Sequence, residues 1–111
     1  MTKISMILAR GPGLPHGDLT DRMVLRAALT AQGQLDPEQD QGAASRERPG
    51  QPEKRSVLVS HQGGWVLRGL HSDDDPLWTV DAHILRPGEP VVLRRPDGEE
   101  LIYRIVASEA A

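Results

Sequence analysis

The stretch Arg86-Pro87-Gly88-Glu89-Pro90-Val91-Val92-Leu93-Arg94-Arg95-Pro96-Asp97-Gly98-Glu99-Glu100-Leu101-Ile102-Tyr103-Arg104-Ile105-Val106-Ala107 decides the fold class. It alternates two kinds of information. Pro87-Gly88 is a type II turn signature: proline presets φ at the second position and glycine supplies φ > 0 at the third. Pro96-Asp97-Gly98-Glu99 predicts a second turn, and Asp-Gly between two apolar runs is a hairpin signal. Between and after the turns, Val91 and Leu93 share one face, as do Leu101, Tyr103, Ile105 and Ala107. That period of two is the mark of a strand. Arg94 and Arg104 fall on the opposite, solvated face.

Working back from this hairpin, the same grammar predicts three more strands. Ser56–Ser60 and Trp65–Leu70 flank a His61-Gln62-Gly63-Gly64 turn, and Leu77–Leu85 follows the acidic loop His71-Ser72-Asp73-Asp74-Asp75-Pro76. Five short strands joined by tight turns over residues 56–107 predict an antiparallel meander that curls into a small SH3-like barrel. Curling would also hide the strand edges that invite aggregation.

The tail from Pro90 to Val106 resembles the closing hairpin of the C-terminal domain of bacterial transcript-cleavage factors. The resemblance covers 17 residues and implies a hairpin ending in an aromatic strand. The long N-terminal coiled coil of such factors has no counterpart here, and no residue role passes to this chain.

Upstream, Ile4–Arg10 reads as a strand, with Ile4, Met6 and Leu8 on one face. The Gly/Pro loop from Gly11 to Asp18 ends it. Residues 19–31 fit two readings. As a strand, Met23, Leu25, Ala27, Leu29 and Ala31 point inward and Arg22, Arg26 and Thr30 outward. As a helix, Asp18 or Thr20 caps the start and Gly33 the end. The strand pairs naturally with 4–10 and is the favoured one. Residues 36–55 hold three prolines, two glycines and many Gln, Glu and Arg, with only Ala43 and Ala44 apolar, a composition that predicts a flexible linker or loop. The chain is thus expected to be a mainly β single domain over 1–111, made of N-terminal elements (1–35), a flexible segment (36–55) and a β-module (56–111).

Composition narrows the function classes. A hydrophobic content of 38%, with no Phe and only Trp65, Trp78 and Tyr103 as aromatics, predicts a small aliphatic core. The net charge of −3 is unevenly spread: the segments 1–35, 36–55 and 56–111 carry +2, −1 and −4. An acidic β-module disfavours a phosphate-binding surface, because cationic contacts dominate nucleic-acid affinity. With no cysteine, disulfides and thiolate chemistry are excluded. No apolar run approaches the roughly 20 residues that span a bilayer. The apolar patch Met6–Ala9 is too short for a signal peptide, so a cytoplasmic, non-membrane protein is expected.

No catalytic pattern emerges. The serines sit in no Gly-x-Ser-x-Gly elbow, and Ser60-His61 is mere adjacency at a turn. Gly11-Pro12-Gly13 makes a poor phosphate cradle because proline removes backbone N–H donors. His71 with Asp73–Asp75, and His83 with Asp81, could be oxygen and nitrogen metal ligands, but their spacing matches no EF-hand or zincin motif. No metal or cofactor is therefore expected, and no enzyme.

What remains is a non-catalytic protein-interaction or adaptor module, with another protein as partner. Trp65 and Trp78 are its candidate contacts: a surface aromatic on a small barrel commonly borders a peptide groove. The alternative is that both indoles fill the core. A nucleic-acid-binding barrel using Arg94, Arg95 and Arg104 is a second reading, and a metal-dependent hydrolase using the His71–Asp75 loop a third.

Overall fold

The computed structural model describes residues 1–38, 41–69 and 78–110. Eight strands follow one another in chain order: β1 (Thr2–Arg10), β2 (Asp18–Ala27), β3 (Gln41–Glu47), β4 (Lys54–His61), β5 (Gly64–Gly69), β6 (Trp78–Asp81), β7 (Pro90–Arg94) and β8 (Glu100–Ala110). Each pairs antiparallel with the next, and β8 pairs with β1, from Thr2 opposite Ala110 to Arg10 opposite Ile102. The result is a closed up-and-down barrel without helices among the described residues. Among the described residues no helix is long and apolar enough to cross a membrane.

The mainly β antiparallel barrel expected from the sequence is present, with a larger perimeter. The five strands anticipated over 56–107 are β4–β8, and closure requires β1, β2 and β3 as well. The ambiguous segment 19–31 resolves as strand, ending at Ala27. Its inward residues are Asp21, Met23, Leu25 and Ala27, all buried, while Arg22, Val24 and Arg26 face outward. The third C-terminal strand is shorter than its apolar run. After Asp81 the chain leaves the sheet, and Leu85 turns in to help plug the lower end, its N–H donating to the Gly33 carbonyl at 2.8 Å.

The expectation of a flexible 36–55 linker is corrected. Gln41–Glu47 pairs with β2 on one side and β4 on the other, leaving only 48–53 as connection at its C-terminal end. Its inward face is built from Gly42 and Ala44, so the alternation exists without the large residues that make it visible. Gly42 cannot carry a side chain there. An added Cβ would lie 2.7 Å from the Arg26 carbonyl oxygen and 3.3 Å from the Ala27 side chain, well inside ordinary contact distance.

Inside, the barrel is filled rather than hollow. Ile4, Leu58 and Tyr103 are each 0% exposed, and Met6, Val91 and Ile105 are 1% exposed. An eight-stranded barrel has an interior just wide enough for side chains to fill it or to hold one small ligand; here side chains fill it. Leu35 and Leu85 are buried at the lower end.

The turns follow local chemistry. Arg86–Glu89 closes with Glu89 N–H donating to the Arg86 carbonyl, and Gly88 takes φ +94°, as the type II signature requires. The second turn sits one residue earlier than expected. Gly98 N–H donates to Arg95 O, so Pro96 and Asp97 are the central pair and Gly98, at φ +92°, follows them in the left-handed region. That is a type I turn with a G1 bulge, which suits a three-residue hairpin loop.

Candidate functional site

Strand parity delivers a distinct set of residues to the upper end, where β1, β3, β5 and β7 finish and the others begin. Toward that end the inward faces of β2, β5, β7 and β8 carry Met23, Leu67, Leu93 and Leu101, which form an apolar floor. Trp78, the first residue of β6, stands beside it. Above them a rim is built from Arg46, Arg48, Lys54, Arg55, Arg95 and Glu99. Together they line a cavity of about 210 Å³. The cavity lining carries five cations and one carboxylate, and Asp21 and Glu53 pair with two of those cations from beside it.

Beneath the rim lies a buried polar cluster. Arg46 donates to Asp21 through Nε at 3.1 Å and Nη2 at 2.8 Å, a forked pairing on a carboxylate whose side chain is only 4% exposed. Tyr103 Oη donates to the same carboxylate at 2.8 Å. Burial works to lower the Arg46 guanidinium, but the hydrogen bond and charge of Asp21, aided by Tyr103, outweigh it and hold Arg46 above its ordinary value. Burial pushes the Tyr103 hydroxyl up. The Arg46 charge opposes that, the Asp21 carboxylate reinforces it, and the net direction is upward.

The rim cations differ in their commitments. Arg95 lies over the Trp78 ring with its guanidinium carbon 5.0 Å from the ring centroid, and donates to Glu99 at 3.2 Å. A cation above an indole face is worth about 0.5–1 kcal/mol at an accessible site. Arg55 donates to Glu53 at 2.9 Å, and hydrogen bonds from Arg55 and then Ser45 hold the Glu53 carboxyl below its ordinary value. Arg48 is half-buried and, among the described residues, has no carboxylate within ion-pair distance. The mouth therefore offers hydrogen-bond donors, positive charge, one aromatic face and an aliphatic floor. Such groups suit an anion with an apolar part beside it.

The structure separates the residues that the sequence brought forward. Trp65 and Trp78 both lie on the inner face, half-buried and packed against the core, with Trp78 at the mouth and Trp65 toward the opposite end. Trp65 is paired with Val80, and Trp78 with Leu67. Arg94 and Arg104 are exposed on the outer wall. Arg94 is held by Glu100 at 2.8 Å, which also raises its basicity. Arg104 lies four positions from Glu100 along β8, about 13 Å at strand rise, so the two arginines form no single patch, and Arg95 turns inward to the mouth. His83 is exposed near Asp81 at the lower end. Among the described residues no three His, Asp or Glu side chains gather as metal ligands. The His71–Asp75 loop of the hydrolase reading lies outside the described residues.

The sequence reading missed Arg46, Arg48, Lys54 and Arg55, which are all the cations of the segment taken for a linker. It also missed Asp21. The available signal for Asp21 was parity: it precedes Met23, Leu25 and Ala27 on the same face of one strand. Comparisons with protein families, with curated proteins and with solved structures found no match to this chain.

Proposed function

We propose that the protein is a non-catalytic interaction or adaptor module that receives a segment of another, cytoplasmic protein at the barrel mouth. The observation that carries this reading is the Trp78–Arg95 pair standing beside an apolar floor and within a ring of cations. An aromatic anchor next to arginine is the side-chain combination that dominates binding energy in protein interfaces. SH3-like barrels use an aromatic-lined groove in a comparable way for proline-rich segments. Here the groove is replaced by the open end of a larger barrel.

The size of the site supports a protein partner over a carried small molecule. Drug-sized ligands occupy pockets of about 300–1,000 Å³, and the mouth holds about 210 Å³ above a packed interior. One or two side chains of a partner fit that space.

The test compares capture by the unmodified protein, by the double variant Trp78→Ala/Arg95→Ala and by an Arg104→Ala control, from a lysate of the source cells with and without nuclease. A protein retained after nuclease by the first and third, and lost by the double variant, is the expected result. Capture that vanishes on nuclease treatment would favour the nucleic-acid reading instead. Equal capture by all three would move the contact away from the mouth.

A further inference from the structure

Resting on the mouth as a contact surface, we propose that the segment it takes is short and acidic, with one carboxylate on Arg48 and a neighbouring apolar side chain on the floor beside Trp78. Three of the arginines at this end already answer carboxylates of the chain itself: Arg46 on Asp21, Arg55 on Glu53 and Arg95 on Glu99. Arg48 does not, among the described residues. The residue is half-buried beside the mouth, and no carboxylate of the described residues is paired with it. A planar guanidinium in that condition is well suited to forked pairing with an incoming carboxylate.

Charge complementarity and size together select the occupant. The cations rise above Leu67, Leu93 and Leu101, so the fitting ligand is an anion with an aliphatic part next to it. About 210 Å³ is the volume of some seven water molecules, enough for one apolar side chain and a carboxylate. A long acyl chain has nowhere to go, because Tyr103, Ile4 and Leu58 fill the barrel below. A nucleic-acid backbone needs cations spread along an accessible surface at phosphate spacing. Here they ring a small hollow instead of following a line along the surface.

The experiment is a titration of the isotope-labelled full chain with a glutamate-rich peptide carrying one central leucine, followed by amide shifts and by anisotropy of a labelled copy. The same peptide with glutamine for glutamate, and one with lysine for glutamate, serve as comparisons. Expected are saturable shifts at Arg48, Trp78 and Arg95 with the glutamate peptide alone, and weaker binding as salt rises. Arg48→Ala should lower affinity about tenfold or more, as loss of a charge-assisted hydrogen bond implies. Arg48→Lys should recover part of that loss while leaving the spectrum of the free protein folded. Equal binding of the glutamine peptide, or affinity unchanged by Arg48→Ala, would overturn the proposal. If the glutamate peptide gives no shifts at millimolar concentration while capture of the cellular partner still depends on Trp78 and Arg95, the acidic-segment inference falls and the interaction-module reading stands. If capture is independent of the mouth as well, both fall.

Discussion

Tyr103 Oη, on β8, donates a 2.8 Å hydrogen bond to Asp21 Oδ1, on β2, across the interior of the barrel. The same carboxylate receives both donors of Arg46 from β3, so one acidic group ties three strands together at the base of the mouth. A buried charge is tolerated where its lone pairs are filled, and Asp21 has three donors directed at it. The cluster also holds Arg46 in place at the rim.

Removing the carboxylate strands both of its partners. Asp21→Ala is expected to destabilise the protein by about 2–4 kcal/mol, somewhat below the range for a wholly buried pair because Arg46 retains some solvent contact. Replacing Asp21 and Arg46 together by Leu and Met should recover most of that loss. Urea denaturation of the single and double variants measures both. A single-variant cost under about 1 kcal/mol would mean that the cluster does not brace the barrel.

Tyr103 is the only tyrosine in the chain, so its ionisation can be followed alone by tyrosinate absorbance. Its folded-state value is raised above the unfolded value near 10. Above pH 10 the unfolded chain therefore releases a proton that the native protein keeps. By linkage, the stability tied to this hydroxyl is fully present below about pH 10 and is lost as pH rises beyond it. Tyrosinate absorbance should then appear together with unfolding. In Tyr103→Phe the part of the alkaline slope belonging to this group should vanish. Titration of Tyr103 near pH 10 in a protein that stays folded would contradict the expectation.

Adjacent positions on β3 should respond oppositely to the same substitution. Gly42→Val places branched atoms against the Arg26 carbonyl and the Ala27 side chain, and a cost of at least about 1–3 kcal/mol is expected from overpacking. Ala43 is exposed on the outer face, where Val suits a strand, so Ala43→Val should be neutral or slightly stabilising. Thermal melts of the two variants decide this, and similar melting temperatures would show that β3 can shift to make room.

Among the described residues β6 is the shortest strand, four residues between a six-residue and a five-residue neighbour, and its ladders on both sides are the shortest. Native-state hydrogen exchange should find the amides of Thr79–Asp81 opening at lower free energy than those of β1 and β8. Uniform protection around the barrel would mean that the seams at β6 open only with global unfolding.

What could be read from the sequence depended on the size of the inward residues. Val91, Leu93, Leu101, Tyr103 and Ile105 alternate with polar neighbours and are fenced by Pro-Gly and Asp-Gly turns, so β7 and β8 were legible almost residue by residue. Ile4, Met6 and Leu8 gave β1 in the same way. β3 was not legible, because its inward positions are Gly42 and Ala44, small enough for the strands to approach closely, and its polar residues resemble those of a linker. The candidate site was hidden for a related reason. Arg46, Arg48, Lys54 and Arg55 gain meaning only when closure of the barrel brings them to Trp78 and Arg95, from strands far apart in sequence. Trp78 stands out in the sequence as a core or contact residue, but nothing in the sequence places it at an open end.

The seam between β1 and β8 sets Thr2 opposite Ala110, 108 positions away. During synthesis, β1 must therefore wait beside an unmatched edge, its Ile4-Met6-Leu8 face uncovered, until the final strand has left the ribosome. Pairings of such long sequence separation fold slowly, on a scale of milliseconds to seconds, and the waiting edge is where the nascent chain is most exposed to misassociation. The same proximity puts Thr2 and Ala110 within reach of a short linker. A circular permutant that links them and reopens the chain at the Gln62-Gly63 turn would convert the most distant pairing in the molecule into a local hairpin, and it should fold faster than the natural order while reaching the same barrel.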